Sequence, residues 1–272
     1  MSSFSRWLVI AALPALGACA TMPGADAPPA AAAKTDVYAG TGVLDAAIKA
    51  AGGEAALRQA KELAWKGSAT VNAGGKTTEI EMDTIVRPFT YARTTSWPKA
   101  EGPKAARTIQ AEGGHAWSVT RVSWMPLPEA ESVHENQQFA LYNVMTLVSL
   151  KDAGVTVTET APGKDGTRNL HVEHPKAPPM DLRFNASGKL VRIADSVRDP
   201  KGGVAPIPQV IEFSGEMTSN GMKWPKHISI RQNDAPYFDL ELSTFEARPA
   251  FTNTPISHTL DDARQPSGAD AG

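Results

Sequence analysis

The chain has 272 residues with 27 basic and 29 acidic side chains, a net charge of −2 and 42% hydrophobic residues. That is enough material for one large domain with a sizeable core. No run of five like charges occurs, so the electrostatic footprint of a nucleic-acid binder is absent. There is one cysteine, Cys19, which excludes an internal disulfide and any metal site built from several thiolates.

The chain opens with a basic residue, Arg6, followed by an apolar run from Trp7 to Ala12 that continues to Leu16, and then by small residues. This is the build of a secretory signal, too short to span a bilayer. Leu16-Gly17-Ala18-Cys19 resembles the lipobox of bacterial lipoproteins. That resemblance implies removal of residues 1–18, lipid on Cys19, and a membrane as partner through that lipid. Several acyl chains on one residue make a permanent anchor, whereas a single chain holds only weakly. Ala20, rather than Asp, follows the anchor. By resemblance to bacterial sorting rules this favours a cell-envelope location at the outer membrane, facing the periplasm.

Residues 19–40 are rich in Ala and Pro with almost no large apolar residue. Such a segment cannot bury enough surface to offset its ordering entropy, so it reads as a tether. Val43, Leu44, Ala47, Ile48 and Ala51 then recur at helical spacing up to Gly52-Gly53, and a second short helix is expected over 54–61. From Leu63 the pattern becomes strand-like and rich in Thr, Val, Ile and aromatics. A second helical block spans about 129–151, with a broad apolar face that includes Phe139, Tyr142 and Met145. Further short strands run to about 246, punctuated by turns such as Asn185-Ala186-Ser187-Gly188 and Ser219-Asn220-Gly221. Residues 251–272 read as a C-terminal extension and tail.

Strands do not alternate with helices, so an α+β fold is expected: a large curved antiparallel sheet of roughly eleven or twelve strands over residues 41–250, with helices on its concave face. A strongly twisted sheet of that size curls, and its interior is filled either by side chains or by a ligand. The residues most suited to line such a cavity are Trp65, Trp117, Trp124, Phe139, Tyr142 and Met145, because indoles and phenols offer large apolar area with a polar handle. In residues 114–124, strand parity places one of Trp117 and Trp124 inward.

A G-G-E-A-A-L segment (Gly52 to Leu57) after an amphipathic helix comes first. It is followed by Pro88 and Arg93 around a strand, Gly114-His115-Ala116-Trp117, Asn185-x-x-Gly188-x-Leu190, and Asn220-Gly221-Met222-Lys223-Trp224-Pro225. This order of elements resembles the LolA/LolB-like superfamily of outer-membrane lipoprotein-sorting proteins. The resemblance implies an incomplete barrel with helices in its mouth and a hydrophobic cavity that accepts an acyl chain.

His171, Glu173 and His174 are the nearest approach to a metal site, since His and Glu both ligate metals. On a strand His171 and Glu173 point one way and His174 the other, and Pro175 follows, so no metal is expected there. There is no G-x-S-x-G turn and no glycine-rich phosphate loop in the required strand-helix setting, so neither a catalytic residue nor a cofactor is expected. The reading that follows is a non-enzymatic, membrane-anchored lipoprotein that binds an acyl chain or other hydrophobic ligand, possible roles being lipid or lipoprotein trafficking. The alternatives are an envelope scaffold acting through contacts with an unidentified protein partner, and a hydrolase assembled from distant strands.

Overall fold

The computed structural model describes residues 41–120, 123–163 and 165–252. Cys19, the signal and the tether lie outside them. The helices are α1 (Thr41–Ala50), α2 (Glu54–Gln59) and α3 (Glu129–Val144). The strands begin with β1 (Glu62–Ala73), β2 (Lys76–Arg87), β3 (Tyr91–Pro98), β4 (Arg107–Glu112), β5 (His115–Val119) and β6 (Trp124–Pro126). After α3 come β7 (Thr156–Thr160), β8 (Arg168–His174), β9 (Ala177–Phe184), β10 (Leu190–Val197) and β11 (Ile207–Ser214). The last are β12 (Met217–Ser219), β13 (Met222–Trp224), β14 (His227–Gln232) and β15 (Ala235–Arg248).

Thirteen strands form one open antiparallel sheet in the order β6-β5-β4-β3-β2-β1-β15-β14-β11-β10-β9-β8-β7, and β12 and β13 make a separate hairpin. The count exceeds the dozen read from the sequence because three segments that look continuous are divided. Residues 115–124 turn back on themselves between Val119 and Trp124. The run through Ser214 breaks at Gly215, which has φ 63. The third break falls at Pro225, which separates β13 from β14 because proline donates no ladder hydrogen bond.

The two long strands β1 and β15 pair from Glu62↔Arg248 to Val71↔Phe238, with a bulge at Lys66/Gly67. A Cβ on Gly67 would run into the Glu241 carbonyl oxygen, so the close strand approach at this bulge depends on glycine. Alternation along each strand places one set of residues in the core: Leu63, Trp65 and Ala69 on β1, Met82 and Val86 on β2, Leu240 and Leu242 on β15. Against this concave face pack Val43, Leu44, Ala47 and Ile48 of α1 and Phe139, Leu141, Tyr142 and Val144 of α3.

Pro128 precedes α3, and Glu129 and Glu131 occupy its first turn, where the helix dipole favours negative charge. The helical block expected over 129–151 is not continuous. The α-helix ends at Val144 with Met145 as its C-cap, Leu147 then takes φ 61, and a single 3-10 turn follows at Val148–Lys151. Thr146 Oγ1 donates to the Asn143 carbonyl at 2.7 Å and secures that corner.

Candidate functional site: the concave face

Trp65 on β1 is the centre of an aromatic chain that crosses the interior. Its ring lies 4.9 Å from Tyr142 of α3 and 6.0 Å from Trp224 of β13. Trp224 in turn stacks on Phe245 of β15 at 5.3 Å with an interplanar angle of 5°. Both indoles are almost wholly buried, and the Nε1 atoms of Trp65 and Trp224 have no hydrogen-bond partner. Burying an indole N–H unpaired costs on the order of 1–3 kcal/mol, so this interior carries donors that its own walls do not satisfy.

Beside Trp224 lies a cavity of about 50 Å³, walled by Ala47 and Ala51 of the α1 end, by Met145 and Leu147, and by Leu190 and Phe213 of the sheet. Its rim is polar and consists of Lys189, Glu216 and Lys223. The α1 wall is held in place by small residues and main chain. Lys223 N donates to the Ala51 carbonyl at 2.8 Å, and Gly52, at φ 121, lies so close to Gly221 that a Cβ would strike the Gly221 carbonyl oxygen. Lys151 pairs with Asp45 at 2.8 Å and with Glu54 at 2.9 Å and thereby couples α1 to α2.

At the other end of the half-barrel the interior turns polar. Gln209 Oε1 accepts from Gln138 Nε2 at 3.2 Å and from Gln232 Nε2 at 3.3 Å. His134 donates from Nδ1 to the Arg198 carbonyl at 2.7 Å, and its burial holds its pKa below the ordinary histidine value. Asp195, opposite Gln209 in the β10–β11 ladder, is buried with both carboxyl oxygens lacking a partner. Burial pushes its pKa up to about 6, against a smaller downward pull from Gln209. Glu135, one helical turn from Glu131, is pushed up to about 7 by burial and then by that like charge. Burial, and after it the charge of Glu135, raises Tyr142 to about 12 and raises Tyr237 as well.

The sequence candidates separate into two groups. Trp65, Phe139, Tyr142 and Met145 all join the concave core. Trp117 and Trp124 do not. Ala111 and Ala116 are cross-strand partners that face the core, which puts the Gln110↔Trp117 pair on the opposite, convex side. Because the chain reverses before β6, Trp124 comes opposite Val119 and shares that convex face, so neither of the two faces inward. His171 Nδ1 pairs with Asp181 at 2.8 Å, His174 stacks on Phe89, and Glu173 is exposed. Among the described residues no group of three His, Cys, Asp or Glu side chains is placed to hold a metal.

Sequence reasoning placed Trp224 beside a strand, where an indole can line a cavity or fill a core, without including it among the cavity residues, and missed Phe245, Asp195 and Glu135 as parts of this interior. The signal for Asp195 was its parity with Ile193 and Val197, an acid in an inward slot. For Glu135 it was the seven-residue spacing to Tyr142 on one helix face.

An open antiparallel half-barrel with helices in its concavity defines the class of structure. No protein-family model matches the sequence, and no curated protein matches it. Among solved structures the fold is similar to those of three proteins at 10% identity or below. A LolA superfamily protein from Nitrosomonas europaea aligns with TM-score 0.52 at 10% identity, over 78% of this chain and 94% of that one. A domain assigned to outer membrane lipoprotein sorting from Vibrio parahaemolyticus aligns with TM-score 0.51 at 7% identity, over 77% and 94%. A DUF1329 family protein from Desulfovibrio piger gives 0.52 at 9% identity, over 80% and 95%.

Proposed function

We propose that this chain is a non-enzymatic binding protein of the cell envelope, anchored through lipid on Cys19, whose concave face receives an acyl chain beneath α1 and the Met145–Leu147 corner. The observation that carries this reading is the apolar cavity beside Trp224, wedged between the helix and the sheet and reaching solvent at a polar rim. At about 50 Å³ it is a third of the roughly 150 Å³ that holds a benzene molecule in an engineered core. An acyl chain therefore enters only as α1 moves away from the sheet. The LolA-type fold of the neighbours supports the same reading.

The test is lipid retention. The full chain purified from its envelope is expected to carry a bound acyl species in native mass spectrometry and to take up a fluorescent fatty acid after delipidation. Bare protein with no uptake overturns the reading. The close filling of the concave face by Trp65, Tyr142 and Trp224 favours a second reading, a scaffold acting through protein contacts. It predicts a stoichiometric partner in crosslinked envelopes and no lipid. Cys19→Ser is expected to move the protein from the membrane to the soluble fraction, and continued membrane association would refute the anchor.

A further inference from the structure

We infer that the cavity beside Trp224 takes a single acyl chain ending in an anionic group, with Lys189 and Lys223 at its rim holding that group. The inference rests on the acyl-binding reading above and adds the chemistry of the ligand's polar end. The cavity walls are apolar apart from one feature. The charged residues that line it are Lys189, Glu216 and Lys223, two cations against one anion.

Glu216 is shared loosely between the lysines, with Lys189 Nζ 3.5 Å from Oε2 and Lys223 Nζ 3.3 Å from Oε1. Both separations exceed the roughly 2.7–2.9 Å of a formed charge-assisted hydrogen bond. The shortest bond either ammonium makes is from Lys189 Nζ to the Gly215 carbonyl, at 2.7 Å. Each ammonium carries three donors, so donors remain for an incoming oxyanion. Trp224 lies on the cavity wall with its indole N–H buried and without an acceptor. A carboxylate or phosphate oxygen drawn in past the lysines is the acceptor that this donor lacks. The aromatic chain from Trp224 to Trp65 then continues the path for the hydrocarbon.

A carboxylate and a phosphate monoester share this chemistry, and the experiment separates them. The probes are palmitate, palmitoyl lysophosphatidic acid and hexadecanol, titrated by displacement of a fluorescent fatty acid from the full chain carrying Cys19→Ser. Palmitate or the lysophosphatidate is expected to bind at least about tenfold more tightly than hexadecanol. The Lys189→Ala/Lys223→Ala double variant is expected to lose that preference while holding hexadecanol within about twofold. Lys223→Arg is expected to restore it in part, and Glu216→Gln to tighten the anionic ligands. The stronger of the two anions identifies the headgroup. Equal binding of palmitate, lysophosphatidate and hexadecanol, or a preference that survives in the double variant, overturns the headgroup assignment and leaves the acyl-binding reading standing. No binding of any probe overturns both.

Discussion

Phe89 and His174 lie face to face, with ring centroids 4.3 Å apart and planes within 9° of parallel. Phe89 is in the turn between β2 and β3, and His174 ends β8, which stands seven places from β2 in the sheet order. Their contact therefore bridges the open side of the half-barrel, where no ladder hydrogen bonds connect the strands. Burial, and after it the nearby charge of Lys176, holds the His174 pKa below its ordinary value.

Because the folded state disfavours the charged form of His174, its contribution to stability is present above about pH 6.5 and is lost as pH falls below that. His134, buried and shifted in the same direction, adds to this acid limb. His174→Phe, which keeps a stacked ring and removes the titration, is expected to flatten the fall in melting temperature between about pH 6.5 and 5. A variant with the same acid limb as the parent would show that His174 does not contribute to it.

Asp195 acts in the opposite sense. Its folded-state pKa is raised to about 6 from an ordinary 3.8, so its contribution is fully present below about pH 3.8 and is lost as pH rises through about 6. Glu135, raised to about 7, loses its contribution over a higher window. Asp195→Asn is expected to stabilise the protein at pH 8 by about 1–3 kcal/mol and to leave it unchanged near pH 4. Denaturant unfolding at the two pH values checks this, and equal effects at both would refute the titration.

Glu62 is fully buried, with Arg87 and Arg248 donating at 2.9 and 3.0 Å and Thr252 Oγ1 at 2.7 Å. Burial alone would raise its pKa, but hydrogen bonds from Thr252, Arg87 and Arg248 outweigh it and hold the carboxyl ionised. Glu62→Ala removes the buried acceptor that Arg87 and Arg248 share and is expected to cost about 3 kcal/mol. Calorimetry at pH 7 gives the value, and a loss below about 1 kcal/mol would mean that solvent replaces the carboxylate.

Gly52 and Gly221 form the clasp that presses α1 onto the β12–β13 hairpin. Gly52→Ala is expected to destabilise by about 1–3 kcal/mol, through the positive φ and the collision with the Gly221 carbonyl. If α1 is the lid, the same variant takes up a fluorescent fatty acid faster than the parent. Destabilisation without faster uptake would assign the clasp a structural role only.

Much of this architecture was legible because its residues obey one period at a time. Val43, Leu44, Ala47 and Ile48 recur at helical spacing, and all four are buried. The strands from Leu63 onward alternate as half-buried strands do. What escaped the sequence was long-range. Parity gives relative facing within one strand, but the reversal between Val119 and Trp124 resets it, and so Trp117 and Trp124 share the convex side. Trp224 became central because a three-residue strand ahead of Pro225 brings it against Phe245, a contact no local pattern encodes. Glu62, Asp195 and Gln209 stand at inward or covered positions where their partners come from distant strands, so their burial could not be read locally.

The pairing of β1 with β15 fixes the order in which the molecule can assemble. In the sheet β15 has six strands on one side, β6 to β1, and six on the other, β14 to β7. The last of the described strands therefore joins two half-sheets, each of which has until then an unpaired edge. Contacts of such separation make folding slow, and an exposed strand edge invites pairing with another chain. Until residue 248 is available the two half-sheets meet through their contacts with α3 and the Phe89–His174 stack, and the concave face becomes one continuous sheet only with β15.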